Sequence, residues 1–185
     1  MEKHDLVIIG GGPGGYVAAL RASQLKKKVL LVEEDKIGGT CMNYGCIPTK
    51  YLLHQTKIFK EMKENKKLEG PLERISCNWK SVQKEKQKAV DRLTKGTEFL
   101  LKKNGVEILK GKASLRDERH VMVRMDDEQR IFEAQKIILA TGSRPAELPF
   151  LKLNGQEIVS SLEALEFESI PAKLIVIGAG AIGLE

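Results

Sequence analysis

Aromatic residues are scarce in this 185-residue chain, where Phe, Trp and Tyr make up 5% and Trp occurs once. Surfaces that stack nucleic-acid bases interleave aromatics with basic residues. The lysines between Lys57 and Lys112 lack such neighbours and are interrupted by Glu61, Glu64, Glu69 and Glu85. The formal charge of +6 therefore reads as solvated helix face, and no nucleic-acid partner is expected. Long apolar runs are missing as well. Met1-Glu-Lys-His-Asp5 is charged, and the stretch after it, Leu6–Ile9, is too short for a secretory core or a membrane span. The expected location is the cytoplasm, with no membrane partner. Three cysteines, an odd number in a reducing compartment, do not make a structural disulfide framework, so any disulfide here should be working chemistry. No zinc set is visible either: Cys77 stands alone, and His4, His54 and His120 do not cluster in sequence.

What is present is α/β patterning. Leu6–Ile9 is a short apolar run stopped by glycines, as in a buried parallel strand. Tyr16–Lys26 has helical spacing, and Val29–Val32 is a second buried strand ending at Glu33. Strand, turn, helix and strand within about 30 residues make a βαβ unit. Asn78 can cap a long amphipathic helix from Trp79 to about Lys103, with Val90, Leu93, Phe99 and Leu100 as its apolar face and Asn104-Gly105 as its stop. Trp79 reads as a packing anchor, Cys77 as a small buried residue and His54 as solvated or packed. Beyond it, Val106–Leu109, His120–Met125 and Ile131–Phe132 look like short antiparallel strands, with turns at 116–118 and 126–128. Ile137–Ala140 is expected to be another buried strand, and Leu174–Ile177 a strand entering a second glycine loop.

Gly10, Gly12 and Gly15 form G-x-G-x-x-G directly after the first strand. Such glycines permit a tight turn, close approach of a pyrophosphate and close helix–strand packing, while the helix N-terminus offers N–H groups to phosphates. Glu33, about twenty residues on, is placed to accept from ribose hydroxyls. Gly178, Gly180 and Gly183 repeat the device without room for its helix and second strand. That suggests truncation and expected domains of 1–149 for a first dinucleotide-binding part and 150–185 for a linker and the start of a second.

Gly38-Gly-Thr-Cys41-Met-Asn-Tyr-Gly-Cys46-Ile-Pro-Thr-Lys50 is the most specific segment. Residues five apart on a regular helix lie roughly 8–9 Å apart at Cα, whereas a disulfide tolerates up to about 6.8 Å. If these cysteines bond, the helix must be distorted between them, and Gly45 and Pro48 allow that. A helix N-terminus with Lys50 nearby would favour a nucleophilic thiolate. Two unrelated cysteines is the alternative.

The segment resembles the active-site signature of the pyridine nucleotide–disulfide oxidoreductases. The likeness extends through both glycine loops and Ala140-Thr-Gly-Ser-Arg-Pro145 to Glu185. It implies a Rossmann-like FAD-binding domain with a small antiparallel β-meander, followed by the first strand and turn of an NAD-binding Rossmann domain. It also implies that Cys41 and Cys46 form a redox-active disulfide, with Cys46 beside the flavin and Cys41 exchanging with substrate. Gly10, Gly12, Gly15, Glu33, Gly39, Thr40, Cys41, Lys50, Ala113, Thr141, Gly142 and Ser143 would serve FAD, and Gly178, Gly180 and Gly183 would serve NAD. Lys50 and Glu185 would pair next to the flavin ring and join the cysteines as catalytic residues. Cys-Ile-Pro-Thr-Lys followed by Leu52-Leu53 resembles the branch that oxidises dihydrolipoyl groups of 2-oxo acid dehydrogenase or glycine cleavage complexes, as a homodimer. The alternatives are a glutathione- or mercuric-reductase-like enzyme, or a non-catalytic FAD-binding fragment. The family's second FAD contact, NAD ribose acid and C-terminal His–Glu base lie outside the sequence, so this stretch alone is expected to be inactive and to hold FAD weakly. Lys26-Lys27-Lys28 stands where the family often has a glycine.

Overall fold

A computed structural model describes residues 1–71, 74–126 and 128–185. Their chain forms two compact units, 1–43 with 91–144 and 44–90 with 145–185. A long helix runs from one set of residues into the other.

The first unit is built on a six-stranded sheet in the order β3-β2-β1-β6-β5-β4. Strand β1 (Glu2–Ile9) leads through α1 (Pro13–Gln24) to β2 (Val29–Glu33), and the two strands pair in parallel, Val7 beside Leu30 and Ile9 beside Val32. β3 (Glu107–Lys110) joins β2, also in parallel. β4 (Lys112–Leu115), β5 (His120–Arg124) and β6 (Gln129–Leu139) form an antiparallel meander whose last strand returns to pair in parallel with β1 along its length. One face buries Val7, Leu30, Val32, Val121, Val123 and Phe132. The other buries Ile8, Ala19, Leu31, Ile37, Leu101 and Val106. Both faces of the central strands are thus covered, which is why β1 and β2 read as continuous apolar runs.

The second unit holds α3 (Cys46–Glu64), the start of α4 (Trp79–Lys103) and two short helices, α5 (Ser161–Ala164) and α6 (Ala181–Leu184). The short α2 (Gly39–Tyr44) precedes α3. Asn78 caps α4 through its side-chain oxygen, which accepts from the Ser81 N–H at 3.0 Å, and Gly105 ends it at φ +78°.

The expected α/β fold and meander are present, with several corrections. Val106–Leu109 was expected to be antiparallel, but β3 pairs in parallel with β2, because its direction is set by the crossover through α4. β4 was not foreseen. Ile131–Phe132 and Ile137–Leu139 belong to one strand, β6, which stops short of Ala140 and whose far end leaves Ile138 and Leu139 exposed instead of buried. Of the expected turns, 126–128 includes Asp127, outside the described residues. At the other, the Asp117 carboxylate accepts from the Arg119 and His120 N–H groups. Leu174–Ile177 is not a strand: it has no hydrogen-bonded neighbour among the described residues, and an isolated parallel strand leaves its backbone groups unpaired. Cys77 is exposed, not buried, and of the two states open to His54 the exposed one is found. The buried side of α4 is formed by Lys86, Val90, Thr97 and Leu101, while Leu93, Phe99 and Leu100 face outward.

Candidate functional site

The glycine loop sits at the C-terminal end of β1, where strand order reverses between β2 and β6, the usual position for a ligand on an open α/β sheet. Gly10 has φ +105°, and a Cβ there would collide with the Ala140 carbonyl; Thr141, next along the chain, also lies against it. A Cβ on Gly15 would strike the Gly10 carbonyl. Gly12 differs. Its φ of −69° suits any residue, and an added Cβ would meet only the Gly39 Cα, at 3.9 Å. α1 begins with Pro13 and has no side-chain cap, so its first N–H groups have no partner in the helix. Bare backbone at Gly12, an open Gly14 and an uncapped helix start fit a pyrophosphate.

Glu33 was expected to face ribose. Its carboxylate accepts from the Gly11 N–H at 2.5 Å and the Asp35 N–H at 2.8 Å, which brings the end of β2 to the loop. Lone pairs remain on both oxygens for a hydroxyl. The Gly11 carbonyl in turn accepts from the Gly38 N–H at 2.8 Å, and Gly39, at φ +53°, lies so close to Gly12 that a Cβ would come within 2.7 Å of its Cα. Gly39 and the exposed Thr40 therefore border the same loop. Gly142 (φ +73°), Thr141 and Ser143 follow β6 in exposed chain, with open space around Gly142. Ala113 lies on β4 opposite Val123, packed against the sheet core. Gly111 was missed: its N–H donates to the Glu33 carbonyl at 2.9 Å, and a Cβ would press on the Arg124 carbonyl. The Gly-Lys-Ala spacing before β4 was its only signal.

The second loop repeats the first locally. Gly178 has φ +115°, and a Cβ on Gly183 would collide with the Gly178 carbonyl, as Gly15 does with Gly10. Gly180 starts α6.

The helix is interrupted between the two cysteines, as a bond between them would need. α2 carries Cys41 and ends at Tyr44; Gly45, at φ −149° and ψ −104°, leaves helical geometry; Cys46 then opens α3. Pro48 falls in the first turn of α3, where its missing N–H costs nothing. Cys41 is half-buried and Cys46 exposed. One turn into α3, the Lys50 amine donates to the Glu185 carboxylate, a contact between two exposed side chains.

A second cluster lies at the opposite end of β1. His4 is buried, and its Nε2 lies 2.9 Å from Glu107 Oε2 and 3.8 Å from Glu2 Oε1. A metal-ligating His normally donates its other N–H to an acceptor. Here Nδ1 has no hydrogen-bond partner among the described residues, and Glu2 already serves Lys28 at 3.2 Å and Arg130 at 3.3 Å. The cluster is a lattice of polar contacts at the N-terminal ends of β1 and β3.

Fold and loops define an α/β dinucleotide-binding protein with a cysteine pair flanking a helix break. The pyridine nucleotide-disulphide oxidoreductase family matches residues 4–185, and the chain belongs to it. It is 42% identical over 182 residues to dihydrolipoyl dehydrogenase of Bacillus subtilis (strain 168), covering 97% of this chain and 40% of that protein. To dihydrolipoyl dehydrogenase of Staphylococcus aureus it is 44% identical over 181 residues, covering 98% and 38%. Among solved structures, the Cu(II) complex of the HOCl-induced flavoprotein disulfide reductase RclA from Escherichia coli superposes with a TM-score of 0.84 at 24% identity, over 100% of this chain and 39% of that one. The chain thus spans about two-fifths of the length of these relatives.

Proposed function

We propose that this chain is the N-terminal part of an FAD- and NAD-dependent dihydrolipoyl dehydrogenase. In this reading residues 1–149 bind FAD, and 150–185 lead into the NAD-binding domain. The Cys41–Cys46 pair cycles between disulfide and dithiol. The observation that carries it is the interruption at Gly45, which separates the cysteines onto two helices where a continuous helix would hold them too far apart to bond. The 42–44% identity to proteins named dihydrolipoyl dehydrogenase supports the substrate assignment.

One thiolate of a dihydrolipoyl group attacks Cys41 and releases Cys46 as thiolate. The second substrate thiol closes the lipoyl ring and frees Cys41. The two electrons leave for NAD+, giving NADH and a proton. FAD supplies the two-electron relay between the thiol pair and the nicotinamide. Gly12, the N-terminus of α1, Glu33 and Gly39 would hold its ADP end, with Thr40, Ala113, Thr141, Gly142 and Ser143 as further contacts. Lys50 and Glu185, an ion pair, would join the residues that hold it. Gly178, Gly180 and Gly183 open the nicotinamide site. The partners are lipoyl-bearing 2-oxo acid dehydrogenase or glycine cleavage complexes, and the enzyme is a cytoplasmic homodimer. Among the described residues no helix is long and apolar enough to cross a membrane.

The test is the oxygen-free visible spectrum of the full-length protein before and after dihydrolipoamide. A rapid new long-wavelength band, lost in Cys46→Ser, is expected. A band with NADH but none with dihydrolipoamide would refute the substrate, and no bound flavin would refute the whole reading.

A further inference from the structure

Among the described residues of the cysteine segment, Asn43 alone is both polar and buried. Both ends of its amide are used. Nδ2 donates to the carbonyls of Ile37 at 3.1 Å and Gly39 at 3.0 Å, and Oδ1 accepts from the Thr94 hydroxyl at 3.2 Å. Beside it the Thr97 hydroxyl donates to Met42 Sδ at 3.6 Å. α2 has six residues, well below the length at which a helix holds itself in water, so its place depends on such ties. They lead into the core on both sides: Ile37 and, one turn beyond Thr97 on α4, Leu101 belong to the same buried cluster. The Ile37–Gly39 turn in turn sits on the glycine loop through the Gly38 N–H and the Gly39–Gly12 approach.

We propose, resting on the reading of Cys41 as the exchanging thiol, that Asn43 is a positioning residue for it. The amide clamps α2 between the Ile37–Gly39 turn and α4, and so fixes where the Cys41 sulfur stands relative to the glycine loop. Thr94 is the second half of the clamp. Misplacing a reacting group by about an ångström costs on the order of a hundredfold in rate, so the clamp should act on turnover more than on binding.

The experiment uses full-length protein carrying Asn43→Asp or Thr94→Val. The first keeps size and the acceptor for Thr94 but sets a carboxylate against two carbonyls; the second removes one hydroxyl at constant shape. Flavin content, kcat and KM for the dithiol substrate, and alkylation rates of Cys41 and Cys46 in the reduced protein are measured. The expected result is kcat lowered about tenfold to a hundredfold in Asn43→Asp and severalfold in Thr94→Val. KM and flavin content stay near wild type, and the Cys41-to-Cys46 alkylation ratio shifts in both. Unchanged kcat and ratio would overturn the proposal, as would activity that falls only in step with lost flavin at a constant ratio. If Asn43→Asp does not fold, Thr94→Val decides alone. Cys41→Ser separates the two levels: retained turnover sinks the underlying reading, whereas a dead Cys41→Ser beside unaffected clamp variants sinks only the positioning role.

Discussion

At the scale of the residue, the glycine loop separates two jobs that a motif merges. Gly15 is required by the fold, because any Cβ would enter the Gly10 carbonyl. Gly12 is not, since its backbone is ordinary and the space around it is open. Gly12→Ala should therefore leave the melting temperature of the full-length apoprotein within a degree or two while filling the cradle and lowering flavin retention at least tenfold. Gly15→Ala should lose both, with a stability cost of about 1–3 kcal/mol. Thermal melts paired with flavin absorbance distinguish the outcomes, and equal damage in both variants would contradict the division. The loop glycines could be read from sequence because absent side chains are a local requirement. Glu33 could be only half read. Its place at the end of β2 follows from the βαβ spacing, but its bonds to the Gly11 and Asp35 amides depend on how the next turn folds back. Lys26 is a further case: it occupies φ +60° at the end of α1, with the Lys27 N–H returning to the Ala22 carbonyl, a left-handed helix stop usually given to glycine.

At the scale of the element, α4 shows what helical periodicity captures and what it omits. Its limits were legible because a cap and a stop are local chemistry. Its buried face was not, because apolar spacing cannot register carbonyl acceptors. Lys86 is 1% exposed, and its amine donates to the Leu165 carbonyl at 2.6 Å and the Glu166 carboxylate at 2.8 Å. Gln83 and Trp79, on the same side, donate to the Phe167 carbonyl at 3.0 and 2.8 Å. The helix thus holds the 165–167 segment through backbone acceptors that no residue pattern announces. Lys86→Met should cost about 1–3 kcal/mol, since it removes the charged donor from the partly buried Leu165 carbonyl and leaves it only the longer bond from Gln83 at 3.3 Å. Glu166→Gln, at a largely exposed partner, should cost well under 1 kcal/mol. Urea denaturation of the two variants, with hydrogen exchange at residues 165–168, measures the difference. Equal costs would mean that the ion pair, not the carbonyl bond, holds the segment.

At the scale of the whole molecule, Leu6–Ile9 and Leu174–Ile177 are nearly the same sequence with opposite fates. Val7 and Ile8 are fully buried between β2 and β6, while Ile175 is 88% and Ile177 66% exposed. Strand propensity is shared by both runs, and only the first has neighbours to satisfy its backbone. Burial is therefore a property of the partners that a segment meets, and a local reading of the second run could supply the pattern but not the sheet. An exposed, uncharged β-competent run is also a template for pairing with another chain. In the 185-residue chain, Ile175→Lys with Ile177→Lys should reduce light scattering on heating and binding of a hydrophobic dye several-fold. The melting temperature should stay within a degree or two, because so little apolar area is lost at these positions. A fall of 5 °C or more would mean that the run is packed in solution after all. Unchanged scattering and dye binding would place the association on another exposed surface.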